Sequence, residues 1–192
     1  MAKTENFEKI EVQSTKELRN WLLKNYSQKE SVWLVTFKKS VAARYIATAQ
    51  VLDELLCFGW IDGIRRKLDA DRTMQLISPR KAQHWAKTYK LRAAKLIEAG
   101  KMHEAGLKAI ETSKQNGLWD FMDDVDNLIF PDDLQKALAK TPNAEPFFNA
   151  INDSSKRFVL RWIKLAKTEK TRKQRIEKIA LLSARGEKLN GS

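Results

Sequence analysis

With 192 residues and 43% hydrophobic content, the chain can bury one substantial core and carry a helical extension beside it. Its 36 basic against 24 acidic residues leave a net charge of +12, which draws the protein to polyanions and speaks to association, not to fold. A single cysteine, Cys57, excludes an internal disulfide; no apolar stretch approaches the ~18 residues that span a bilayer, and Met1 to Glu11 holds no apolar run of signal-peptide length, so a cytoplasmic location is expected.

In chain order, Ser14 and Glu17 form a capping box ahead of Leu18, Trp21 and Leu22, which predicts a helix over Thr15 to Asn25. The β-branched and aromatic run Val32 to Phe37 predicts a strand. Thr48 is placed to cap a second helix that turns Val51, Leu52, Leu55, Leu56 and Phe58 inward and stops at Gly59. From Trp60 the period shifts to two: Trp60, Asp62, Ile64 and Arg66 would share one face of a strand, and Ile61, Gly63 and Arg65 the other. Leu68 to Arg72 reads as a turn and Thr73 to Ile77 as the returning strand.

After Pro79 the pattern is helical nearly to the end. Ala86 to Ala99 and Met102 to Asn116 form two helices stopped by Gly100 and Gly117, Trp119 to Asp133 an acidic loop, and Asp133 to Lys140, Ala144 to Ile151, Ser155 to Lys167 and Glu169 to Arg185 four more helices. The expected architecture is α+β: a small antiparallel sheet of about three strands packed by helices over residues 1–117, with a hairpin near 60–78. An acidic loop, 118–132, leads to an all-helical segment, 133–192, packed on that core.

Charge is segregated along the chain. Eleven bases face three acids over residues 64–101, four face ten over 102–155, and twelve face three over 156–192. The two basic blocks and the acidic one between them can therefore satisfy one another as readily as they can an outside partner. In the last block Phe158, Val159, Trp162, Ile163 and Ala166 form one apolar stripe, and Ile176, Ile179, Ala180 and Leu182 a second. Lys167, Thr171, Arg172 and Arg175 crowd the junction of those two helices, where backbone N–H groups at the start of the second can help hold an anion.

Taken together, "ELLCFGWIDG" with its basic hairpin, "ISPRKAQHWAK", "LIEAGKMHEAGLKAIE" with "NGLW", and "FVLRWIKLAKTEKTRKQRIEKI" resemble the bacterial YdeI/OmpD-associated family, known by its bacteriocin-protection label, along Lys9 to Leu189. The resemblance implies an α+β unit, a helical segment with the W-I-x-x-A-K-x-x-x-T-R pattern seen from Trp162 to Arg172, and a role in bacteriocin or stress protection. It brings no catalytic residues. Family members commonly place a serine on each side of the tryptophan after the Pro-Arg turn and an asparagine just beyond, where this chain has Gln83, His84, Trp85, Ala86 and then Tyr89.

Two sites compete. The first is non-catalytic binding of an anionic ligand or an acidic protein partner by Lys167, Thr171, Arg172 and Arg175, with Arg80 and Lys87 next. Non-specific binding of nucleic acid is expected at low salt only, because the aromatics of the last block lie on its apolar stripe rather than as stacking platforms. The second is a pocket of Trp60, Asp62, Arg80, His84 and Trp85, suited to recognising an anion or to an enzyme acting on a small molecule. Against it stands a plain corner in which Trp60 and Trp85 are core, Asp62 pairs with an arginine or caps a backbone N–H and His84 is exposed; a third reading is a structural partner-binding protein, without a ligand, whose charge blocks satisfy one another. No cofactor or metal is called for: six aspartates between Asp120 and Asp133 lack the EF-hand spacing, His84 and His103 are not spaced as a zinc pair, and phosphate-loop and dinucleotide motifs are missing.

Overall fold

The computed structural model describes residues 7–191 and divides into two compact units that part between Asp120 and Phe121. Residues 1–6 of the amino-terminal stretch considered above for a leader lie outside the described residues.

The first unit is α+β. It runs β1 (Lys9–Glu11), α1 (Thr15–Asn25), β2 (Val32–Phe37), a short 3-10 turn (Ala42–Arg44), α2 (Thr48–Cys57), β3 (Trp60–Lys67), β4 (Arg72–Pro79), α3 (Lys87–Glu98) and α4 (Glu104–Gln115). The strands lie in the order β1-β2-β4-β3, with β1 parallel to β2 and the other pairs antiparallel. The sheet is thus four-stranded and mixed, where three antiparallel strands were expected. The addition is β1, whose three residues are too few to carry a period.

Local chemistry explains most element ends. Ser14 accepts a hydrogen bond from the Glu17 N–H (3.2 Å), while the Glu17 carboxylate accepts from the Gln13 N–H (2.9 Å), so the box at the head of α1 closes one residue earlier than its usual form. At α2 the cap is Ala47, not Thr48: the Gln50 side chain reaches back to the Ala47 N–H (3.1 Å), and Thr48 already lies in the first turn. Gly59, at φ +72°, ends α2 and redirects the chain into β3.

The core of this unit joins Leu18 and Leu22 of α1, Val51, Leu55 and Leu56 of α2, Ala93 and Leu96 of α3 and Ile110 of α4 to the sheet residues Val32, Leu34, Trp60 and Ile77. Two backbones meet closely inside it. The Cys57 carbonyl at the end of α2 accepts from the His103 N–H (3.0 Å), and Gly106 passes directly over it. A β-carbon at Gly106 would lie 2.8 Å from the Cys57 carbonyl carbon and closer still to its oxygen.

Among its described residues the second unit has helices as its regular elements: α5 (Asp123–Asp126), α6 (Asp132–Lys140), α7 (Ala144–Ala150), α8 (Asp153–Lys164) and α9 (Glu169–Ala184). The acidic stretch read as loop holds α5, a single turn too brief to show a period. Asn152 and Thr168 cap α8 and α9 by accepting from the Ser155 and Thr171 N–H groups. The unit's core gathers Met122, Val125, Leu134, Leu138, Phe148, Val159, Leu160, Ile163, Ile176 and Ile179. On α8 the buried stripe is therefore Val159, Leu160 and Ile163; Phe158, expected inside, is exposed. Among the described residues no helix is long and apolar enough to cross a membrane.

Replacing Gly106 by alanine should force α4 off the end of α2 and destabilise the protein by about 1–3 kcal/mol, the usual cost of an overpacked core. Urea denaturation of Gly106→Ala beside the parent chain measures this directly.

Candidate functional site

The hairpin brings the second of the two expected clusters to one end of the sheet. Trp60 at the start of β3 lies opposite Pro79 at the end of β4, and the Arg80 N–H donates to the Gly59 carbonyl (2.8 Å), fixing where the irregular segment 80–86 begins. That segment is pinned at its other end by the Trp85 N–H donating to the Leu118 carbonyl (3.1 Å). Arg80 folds back within it: its Nη2 donates to the His84 carbonyl oxygen (3.0 Å) and its guanidinium lies over the Trp85 indole, 3.8 Å from the ring centre. Trp85 is wholly buried against Trp119, with ring centres 4.8 Å apart.

Trp60 stands apart from that stack. Its indole is buried, meets Trp21 edge-on at 5.5 Å, and donates through Nε1 to the Tyr26 carbonyl (3.2 Å). This is an anchoring role.

Asp62 belongs to a polar chain that the sequence did not assemble as a cluster. Tyr89 on α3 donates its hydroxyl to Asp62 Oδ1, and Gln75 of β4 donates to Oδ2 (3.0 Å). Arg65 donates to Gln75 Oε1 (2.6 Å) and to Thr48 Oγ1 (3.3 Å). A bulge makes this possible: Asp62 pairs with Ile77 and Arg65 with Gln75, so Gly63 and Ile64 are one residue in excess and the strict alternation expected of β3 fails. Asp62 and Arg65, assigned by period to opposite faces, both reach the same glutamine.

Burial, Asp62 as hydrogen-bond acceptor and the charge of that carboxylate raise the Tyr89 phenol to about 12, against which the nearby Arg80 and Arg92 pull down. Burial lowers Arg80 to about 10, and the neighbouring Tyr89 oxygen works the other way. Arg80 Nε and Trp85 Nε1 are both buried donors without a hydrogen-bond partner among the described residues. Arg80 also lines a groove of about 350 Å³ together with Lys81, Lys108, Ser113 and an apolar floor that includes Phe58 and Ala109. None of the described residues lining that groove is acidic. Lys87 is exposed at the first position of α3, capped by Ala86.

The junction of α8 and α9 is arranged differently. Arg172 makes a two-pronged pair with Asp133, Nε to Oδ2 at 2.7 Å and Nη2 to Oδ1 at 2.9 Å, and this hydrogen bonding lowers the Asp133 carboxyl below its ordinary value. Arg175 donates to the Trp162 carbonyl and lies over its ring at 5.0 Å. The Thr171 hydroxyl accepts from the Thr168 hydroxyl (2.9 Å), and Lys167 is exposed. Nearby, Lys164 pairs with Asp124 at 2.5 Å.

Comparison with known families divides the chain in the same way as the fold. Residues 10–109, more than half of it, match the model of a family described as a domain of unknown function, DUF8412. The chain belongs to that family. Residues 127–186 match the family described as "Bacteriocin-protection, YdeI or OmpD-Associated". The resemblance read from the sequence is therefore found in the helical segment that carries Trp162 to Arg172, whereas Asp62, Arg80, Trp85 and Tyr89 fall in the DUF8412 part. No curated protein and no solved structure matches the chain.

The remaining chemistry-bearing groups have structural roles. The His103 ring caps α4, its Nδ1 accepting from the Ala105 N–H (3.2 Å), and stacks on Phe58 with Tyr26 tilted against it. The Cys57 thiol is buried, and burial with Glu54 nearby raises its ionisation above the ordinary value.

Because the Tyr89 shift is upward, the neutral phenol stabilises the fold below about pH 10, the ordinary phenol value, and that contribution is lost as the pH rises through about 12. Tyr89→Phe should lower stability at neutral pH, with the gap closing in strong alkali. A tyrosinate absorbance titration should show a step near 12 in the parent chain that the variant lacks.

Proposed function

We propose that this protein acts by binding a small anionic ligand rather than by catalysing a reaction, in a bacteriocin-protection type of role, and that Arg80 is the residue on which binding turns. The observation that carries the reading is the state of that arginine. It is half-buried with its Nε covered, it lies on an aromatic face where none of the described residues sets a carboxylate against it, and it opens onto a groove whose charged residues, Arg80, Lys81 and Lys108, are all basic. A buried guanidinium is ordinarily paired, since an uncompensated charge costs several kcal/mol away from water. An arriving anion would remove that cost, which gives binding a driving force independent of the net charge.

The junction of α8 and α9 supports the same reading less directly. Arg172 and Arg175 already have acceptors, so an anion there would have to displace Asp133 or the Trp162 carbonyl and would be held chiefly by Lys167, Thr171 and the exposed lysines of α9. Its pairs with the acidic stretch favour a surface that is neutralised within its own unit. The Asp62 cluster favours binding over catalysis. Its carboxylate is engaged by two donors, and a phenol shifted to about 12 stays protonated at neutral pH, so neither group is poised as a general base.

A thermal-shift series with nucleotides, phosphorylated metabolites, organic acids and short oligonucleotides, at low and at physiological salt, tests the proposal. One class of small anion should stabilise the protein at both salt levels, by about 2.7 kcal/mol when present at a hundred times its Kd. Arg80→Ala should abolish that stabilisation. Shifts given by every polyanion that fade with salt, and that Arg80→Ala leaves alone, would refute it.

A further inference from the structure

Arg80 Nε and Trp85 Nε1 are two buried donors left without acceptors among the described residues, and their side chains are in contact. Unsatisfied buried N–H groups are rare because each forfeits its bond to water on folding. Here the guanidinium carbon lies over the indole, 3.8 Å from the ring centre, so the two N–H groups belong to side chains in direct contact. The same arginine forms part of the groove whose floor includes Phe58 and Ala109 and whose other cations are Lys81 and Lys108.

We infer that Arg80 and Trp85 form the head of a binding site for a small organic oxyanion, a carboxylate or a phosphate monoester, whose apolar body lies in the adjoining groove. This deepens the anion-binding reading above and rests on it. One oxygen of the ligand accepts from Arg80 Nε and another from Trp85 Nε1, while Lys81 and Lys108 add charge at the groove wall. Both donors sit at or near the ends of the irregular segment 80–86 and are covered, so the anion enters as side chains of that segment move aside, a change of the size common on binding. The site selects for an apolar body as well as for charge. Inorganic phosphate fits the head alone.

The test uses the full chain in 0.15 M salt and follows its tryptophan indole N–H signals by proton–nitrogen correlation NMR, with Trp85→Phe assigning the signal of Trp85. Benzoate, phenyl phosphate and inorganic phosphate are titrated in turn. The Trp85 indole signal should move and saturate with benzoate or phenyl phosphate, and whichever of the two binds more tightly names the oxyanion. Arg80→Lys, which keeps the charge and removes Nε, should weaken that ligand by about tenfold, the effect of one charge-assisted hydrogen bond. Ala109→Leu, which fills the groove, should weaken the aromatic probes and leave inorganic phosphate unchanged.

A Trp85 signal that stays still with all three probes overturns the inference, as does inorganic phosphate binding as tightly as phenyl phosphate. If Trp85 is unmoved but an anion still stabilises the protein in an Arg80-dependent way, this site is wrong and the broader reading stands. If no anion stabilises the protein, both fall.

Discussion

The first unit depends on one contact between two backbones. The carboxyl end of α2 and the amino end of α4 meet with no side chain between them: the Cys57 carbonyl takes the His103 N–H while Gly106 lies across it, and Gly59 turns the chain away beneath Ala105. Gly59 also accepts the Arg80 N–H, so the joint that closes two helices sets the place where the hairpin ends. "LCFGWIDG" is therefore a corner, and the corner positions the candidate site. Trp60 and Asp62 leave it along β3, and Arg80 returns to it from β4.

How much of this can be read from residues alone depends on the range of the interaction. α1, β2, the hairpin and the helices after Pro79 follow from patterns within a dozen residues, such as the Ser14–Glu17 pair, the β-branched run at Val32, and glycines that stop helices. Gly106 shows no such pattern, because the demand for a missing β-carbon is imposed by Cys57, far away in the chain. The bulge in β3 is likewise invisible to a period of two. It is set by a strand partner, and it moves Arg65 to the side of Asp62. Tyr89 was visible as a departure from the resembled family, yet its bond to Asp62 spans 27 residues. Trp85 and Arg80 were singled out together by type and proximity, and the stacking of the guanidinium on the indole gives that pairing its geometry.

The electrostatic division of the molecule is similarly uneven. Asp124 and Asp133 in the acidic stretch hold Lys164 and Arg172 of the helices that follow them, so part of the last basic block is balanced inside its own unit. Exposed pairs of this kind add little stability individually. Their effect is on availability: they occupy the arginines that spacing alone would offer to a ligand. In the first unit Arg19, Arg72 and Arg92 are held in the same way by Glu54, Glu11 with Asp69, and Asp53. Arg80 has instead the face of a tryptophan and one carbonyl.

The placement of Cys57 has one more consequence. The thiol that closes α2 is the only one in the chain, it is shut off from solvent, and its burial disfavours the thiolate form that reacts. A thiol reagent therefore meets it only when the corner comes apart, and the rate of labelling is a clock on the opening of α2 from α4. The molecule carries its own reporter at the position where its architecture is tightest.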